Sequence, residues 1–212
     1  MITLKAFVFN SFQENTYVLS DPSGNCVIVD PGMADEDEQK MISDYIRESK
    51  LSPEAVINTH CHADHVPGVK FITDTYKVPF YFHQEETELL EHVEEYGAFF
   101  GLSVVPPPPP SRYLEDDEAF RFGQSELKLF HVPGHSPGSL AIYSQEDKFV
   151  ITGDVLFRSS IGRTDLPGGD YATIIRSIQE KLMTLPGDTQ VYPGHGPSTT
   201  IGTEHDTNPF LT

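Results

Sequence analysis

The sequence predicts an α/β protein built on two sheets packed together with helices outside. Runs rich in β-branched and aromatic residues alternate with three stretches whose apolar residues recur at helical spacing. The order is strands, helix, strand, helix, then strands, helix, strand, so the two halves are coarsely alike, which suits a layered α/β architecture. The 212 residues, 38% of them hydrophobic, supply apolar surface enough for one domain over 1–212 without disulfide staples.

Each element has its own signal. ITLKAFV, NTYVLS and NCVIVD read as strands, and DPSGN marks a hairpin between the second and third. From Asp35 to Lys50, Met41, Ile42, Tyr45 and Ile46 share one helical face, and LSP closes the segment. AVINTH follows as a buried strand and delivers a histidine cluster at its C-terminal end, where α/β proteins hold ligands. VPFYF is the next strand, and Glu85 to Tyr96 the next helix, with Leu89, Leu90, Val93 and Tyr96 inward. Five prolines at 106–110 exclude helix and central strand and predict a stiff polyproline connection. EAFRF, ELKLFHV, SLAIYS and DKFVIT are four strand-like runs. DYATIIRSIQEKLMTL then reads as a helix capped by Asp170, with Ile174, Ile175, Ile178 and Leu182 along one side, and TQVYPGH as a last strand.

Charge and cysteine usage exclude several classes. With 32 acidic residues against 14 basic ones the formal net charge is -18, a field that repels phosphate backbones, so nucleic acid is not an expected partner. No apolar run reaches the roughly 18 residues that span a membrane. MITLKAFVFNSF has none of the features of a secretory leader. Cys26 and Cys61 match neither a disulfide framework nor a paired zinc motif. A cytoplasmic location is the expectation, with oligomeric state left open.

The stretch THCHADH, residues 59–65, carries the chemistry. In an extended segment alternate residues point the same way, so His60 and His62 converge while Cys61 points elsewhere. Asp64 and His65 follow after the chain has begun to turn, where they face a second ion. Zinc needs at least three protein ligands, so partners must lie downstream. His135 in VPGHSPGS, Asp154 in ITGDVLF and His195 in VYPGHGP each sit at a strand end beside glycine, which lets the backbone bend sharply. Two divalent ions fit this inventory: His60, His62 and His135 on one, Asp64, His65 and His195 on the other, with Asp154 bridging through its two oxygens. His83, His92 and His131 lack glycine turns and are expected in ordinary surface or packing roles, and His205 as a tail residue.

THCHADH, PGHSPG, TGD and YPGHGP, in that order, resemble the metallo-β-lactamase superfamily over essentially the whole chain. The resemblance implies a four-layer αβ/βα sandwich of two mixed sheets with a two-metal site at one edge and the same ligands. It also implies that Asp30 of VDPG supports the ligand imidazoles from behind. IGRTDLPGGD, residues 161–170, looks like the small glyoxalase II-like hydrolases without a C-terminal helical domain, and its GRTD also occurs in persulfide dioxygenases. The implied cofactors are two divalent ions, zinc first, with iron or manganese as alternatives. The implied activity is attack of a metal-bridging hydroxide, oriented by Asp64, on small thioesters of the hydroxyacyl-glutathione type. Such substrates suit a site without an extra acid, because a thiol pKa near ~8.5 makes thiolate an adequate leaving group. Arg163 is expected to meet a substrate carboxylate, and the equal alternative is an internal salt bridge with Asp165 or Asp170. Two rival readings stand beside the hydrolase: a mononuclear iron persulfide dioxygenase, and a non-catalytic zinc-binding protein.

Overall fold

Thr3–Phe9 (β1), Glu14–Ser20 (β2) and Asn25–Val29 (β3) pair antiparallel in succession. The expected β2–β3 hairpin turns at Gly24, whose φ of 86° suits glycine. Asp35 caps Glu36–Glu48 (α1) by accepting from the Glu38 amide at 2.9 Å, and three acids in the first turn complement the helix dipole. Ile42 and Ile46 of this helix bury in a core with Ile28 and Val56. Ser52–Ile57 (β4) then returns parallel to β3.

Val69–Tyr76 (α2) follows, a helix the sequence reading does not foresee. Its VKFITDTY is β-branched and aromatic, a composition of weak helix formers, but Val69 and Ile72 enter the same core, and burial outweighs propensity. Phe80–His83 (β5) pairs parallel to β4. The single helix expected over 85–96 is two, Thr87–Glu91 (α3) and Val93–Phe99 (α4), broken at His92 with φ −105° and ψ 10°. Leu89 and Val93 still face inward. The prolines at 106–110 form no regular element. Arg112–Leu114 (β6) completes a six-stranded mixed sheet whose spatial order is its chain order, β1 to β6.

The second sheet is built from Ala119–Phe122 (β7), Ser125–His131 (β8), Leu140–Ser144 (β9) and Phe149–Gly153 (β10). Leu156–Phe157 (β11) and Ser160–Ile161 (β12) form a separate small ribbon. Tyr171–Ser177 (α5) is capped as expected, the Asp170 side chain accepting from Thr173 N at 2.7 Å. It runs on into a π-helical turn over Ile178–Leu182, closed by Met183 N on Ile178 O at 2.8 Å. Ile174, Ile178 and Leu182 bury with Val132, Val150 and Val191. Gln190–Pro193 (β13) joins β10 in parallel, Thr199–Thr200 (β14) adds an edge, and Ile201–Thr207 (α6) follows. The sheet order is β14-β13-β10-β9-β8-β7.

The computed structural model describes residues 1–211, in two compact units: residues 1–113 with 121–126, and residues 114–120 with the chain from 127 onward. Among the described residues no helix is long and apolar enough to cross a membrane.

Truncating Ile28, fully buried at the centre of the first sheet, to alanine is expected to cost about 3 kcal/mol, read as a lower urea midpoint at unchanged slope. Burial, with the Glu54 charge adding to it, pushes the Cys26 thiol up to about 12 from an ordinary 9.0. The folded state therefore keeps a proton that the unfolded chain releases, and stability falls as pH rises from 9 toward 12. Denaturant midpoints taken at stepped pH across that window check the sign.

Candidate metal centre

In the first unit the chain leaves β4 at Ile57 and enters a loop whose backbone is tied down at almost every residue. Asn58 Nδ2 donates to the carbonyls of His60 at 3.2 Å and His65 at 2.8 Å, and His65 N donates to His62 O at 3.0 Å. Cys61 N donates to the buried Glu86 Oε2 at 2.7 Å, and Asn10 Nδ2 donates to Asp64 O at 2.9 Å. The alternation read from the sequence is present: His60 and His62 rings stand 4.8 Å apart at right angles, with Cys61 buried between them in the chain. His65 brings a third ring to 4.1 Å from His60.

Asp30, at the end of β3, sets the orientation of this group. Its Oδ1 accepts from Thr59 N at 2.6 Å and its Oδ2 from Thr59 Oγ1 at 2.6 Å. Oδ2 also lies 3.2 Å from His65 Nδ1. A proton on that Nδ1 leaves Nε2 as the lone-pair nitrogen, 3.7 Å from Asp64 Oδ2. Thr59 Oγ1 spends its hydrogen on Asp30, so toward His60 Nδ1, 3.1 Å away, it can only accept. The tautomer of His60 that this acceptor favours carries its lone pair on Nε2, as at His65.

The second unit carries its own set. His135 follows β8, Asp154 follows β10 and His195 follows β13. The Nδ1 of His135 lies 2.9 Å from the carbonyl of Arg163, which holds the proton there and aims Nε2 at Asp154 Oδ2, 3.7 Å away. The same Oδ2 is 3.5 Å from His195 Nε2. Gly162 makes this approach: a Cβ there would fall 1.8 Å from Asp154 O and 3.2 Å from His135 Nδ1. Neutral imidazoles with Nδ1 committed and carboxylates beside Nε2 are the borderline donor set that zinc and first-row divalent ions take.

Arg163 has a role the sequence did not disclose, since a backbone carbonyl is independent of side-chain type. Its guanidinium grips Asp165 through two bonds of 2.7 and 2.8 Å and holds that carboxyl at about 2. Asn10, Asn58, Thr59 and Glu86 were likewise passed over. Their only signal was polarity at a strand end or on a helix otherwise read as a solvated face. Among the remaining histidines, His131 Nε2 meets Pro137 O at 2.8 Å, and His92 and His205 lie beside the acids Glu95 and Asp206. His83 caps the turn at Glu85.

A family model described as Metallo-beta-lactamase superfamily matches residues 10–195. The Probable metallo-hydrolase YqgX of Bacillus subtilis (strain 168) is 41% identical over 201 residues, 94% of this chain and 92% of its own. Hydroxyacylglutathione hydrolase GloC of Haemophilus influenzae is 36% identical over 203 residues, 95% of this chain and 94% of its own. Among solved structures, the BLEG-1 B3 metallo-beta-lactamase is 37% identical with a TM-score of 0.91, covering 99% of this chain and 100% of its own. TTHA1623, solved in a di-iron-bound form, is 39% identical with a TM-score of 0.87, covering 98% and 100%. Likeness at this level shows the α/β fold of two mixed sheets with helices outside.

Asp30→Asn keeps one acceptor oxygen for Thr59, turns the other into a donor, and removes the charge facing His65. Metal affinity is expected to fall about 10- to 100-fold while the circular-dichroism melt keeps its cooperativity. Competition with a chromophoric chelator measures it, and an unchanged affinity would remove Asp30 from the centre.

Proposed function

This chain belongs to the metallo-beta-lactamase superfamily and is a metallo-hydrolase, and on that footing we propose that it cleaves thioesters of the hydroxyacyl-glutathione type with two divalent ions, zinc first. His60, His62 and His135 would hold one ion, Asp64, His65 and His195 the other, and Asp154 both. The observation that carries the pairing is Asp154 Oδ2, set between the Nε2 atoms of His135 and His195, one from each proposed ligand group. The di-iron form of TTHA1623 and the name of the Haemophilus influenzae relative support the metal pair and the substrate class.

When bound, the ions supply an activated water and a Lewis acid for the carbonyl oxygen. The chain's own groups do the rest. Asp64, half-buried with Oδ2 3.7 Å from His65 Nε2, would orient the attacking water through a carboxylate oxygen. The Thr59 hydroxyl and the Arg163 carbonyl face Nδ1 of His60 and His135 as acceptors, and the Asp30 carboxylate lies 3.2 Å from Nδ1 of His65, so one tautomer, with Nδ1 protonated, would serve all three rings throughout turnover. The thiols offer no competing nucleophile: burial pushes Cys61 well above its ordinary range, with Glu86 and Asp30 adding to the shift, and Cys26 is up at about 12. A substrate carboxylate at Arg163 would have to displace Asp165 from the guanidinium fork, so Arg163→Ala should act on KM rather than kcat.

The test is metal content, hydrolysis of S-lactoylglutathione, β-lactam cleavage and oxygen uptake on one chelator-free preparation. About two ions per chain with thioester cleavage is the expected result, and a chelator or Asp64→Asn should lower kcat at least about 100-fold. One iron with persulfide-dependent oxygen uptake, or metal without turnover of any thioester, overturns it. Preferential cleavage of a lactam ring would shift the substrate class toward that of the BLEG-1 enzyme.

A further inference from the structure

Three phenylalanines of the first unit lie in a row at the surface, with Phe100 in the middle. Phe99 is 83% exposed, Phe100 41% and Phe12 40%. Phe100 packs edge-on against both, at 5.1 Å from Phe99 and 6.2 Å from Phe12 between ring centroids. Single exposed apolar residues are ordinary, whereas a contiguous aromatic patch is a candidate binding surface.

Its place in the chain bears on what it binds. The turn after β1 is anchored on Asn10, whose Nδ2 donates to Asp64 O and Gly32 O, both at 2.9 Å, and whose N donates to Glu38 Oε1 at 2.7 Å. Asn10 Oδ1 accepts from Phe12 N at 2.9 Å, and Gln13 N closes the turn on Asn10 O at 3.2 Å. Phe12 is thus fixed two residues, at most about 7.6 Å of Cα path, from the amide that holds the Asp64 carbonyl. The Phe12 turn and the histidine loop thus share one anchor, the Asn10 side chain.

The charge around the patch narrows the choice. Residues 84–100 contain no lysine or arginine, while Glu88, Glu91, Glu94 and Glu95 are exposed along α3 and α4. That field repels a carboxylate, and it repels a second copy of the same acidic surface. An uncharged apolar group next to the reacting carbonyl fits both the field and the aromatic wall.

We propose that Phe12, Phe99 and Phe100 form the wall that receives the acyl group of the thioester, so that the chain prefers acyl groups larger and less polar than lactoyl. This rests on the thioester reading above. On the metal-replete chain, kcat/KM is compared for S-acetyl-, S-lactoyl-, S-hexanoyl- and S-phenylacetyl-glutathione. The last two should exceed the first by about tenfold or more. Phe99→Ser and Phe100→Ala should each shrink that ratio about fivefold, whereas Met41→Ala, an exposed residue on α1, should leave it alone.

Calorimetric binding of S-hexylglutathione against S-methylglutathione supplies a readout that needs no turnover. The hexyl compound should bind more tightly, and Phe99→Ser should remove most of the difference. A ratio near one, a ratio indifferent to the phenylalanines, or variants that only dissociate a dimer in sedimentation would overturn the proposal. If no thioester is cleaved at all, the functional reading falls, and the alkyl-glutathione comparison alone decides the wall.

Discussion

A carboxylate buried at the end of a strand must find donors, and Asp30 finds them in the amide and hydroxyl of Thr59, with the His65 ring beside it. Burying such a group without partners would cost several kcal/mol, so the loop that satisfies it has few other shapes. The backbone serves the same end: Asp30 sits at φ 49°, a left-handed conformation that aspartate tolerates better than most residues, and its N–H closes on Ile57 O at 3.0 Å. Through Thr59 the constraint reaches His60, and directly it reaches His65. Two ring orientations therefore follow from one anion.

Around that anion the first unit gathers further acid. Glu14 is fully buried, and its carboxyl is pushed well above the usual range by desolvation, with His65 pulling it down and Asp30 raising it again. Thr16 Oγ1 stands 2.8 Å from Glu14 Oε2 and 2.8 Å from Asp30 O, and it accepts from Gly32 N at 2.9 Å. Glu86 holds the Cys61 amide from the other side. The loop itself, NTHCHADHV, contains no lysine or arginine. A region so supplied with acceptors and so poor in cations is electrostatically suited to a multivalent cation, and it gains rigidity from the same bonds.

Much of this was legible. Strands announced themselves by β-branched runs between turn signals, α1 by a helical stripe, α5 by an aspartate cap before one, and the ligand loops by histidine or aspartate beside glycine at strand ends. What escaped had a common cause, in that the deciding interaction was tertiary. VKFITDTY is helical because Val69 and Ile72 find the core, which no local preference records. The break at His92 divides a stripe that reads as continuous, while Leu89 and Val93 both stay buried. For Arg163 the side chain drew the eye, yet the carbonyl orients the ligand and the guanidinium is engaged by Asp165. Gly162 could be seen as a glycine, but not that the Asp154 carbonyl would occupy its Cβ position.

The strand order of the first sheet bears on biosynthesis. Because β1 to β6 lie side by side in the order of translation, each new strand pairs with the one just made, and no pairing waits for a distant segment. Sequential neighbours keep loop-closure entropy low and favour rapid folding. The second sheet lacks this property, since β10 must wait for β13 across the ribbon and α5. On a ribosome the sheet that carries the histidine loop has every strand it needs once Leu114 has emerged, so vectorial synthesis presents the cell with that loop before His135, Asp154 and His195 emerge.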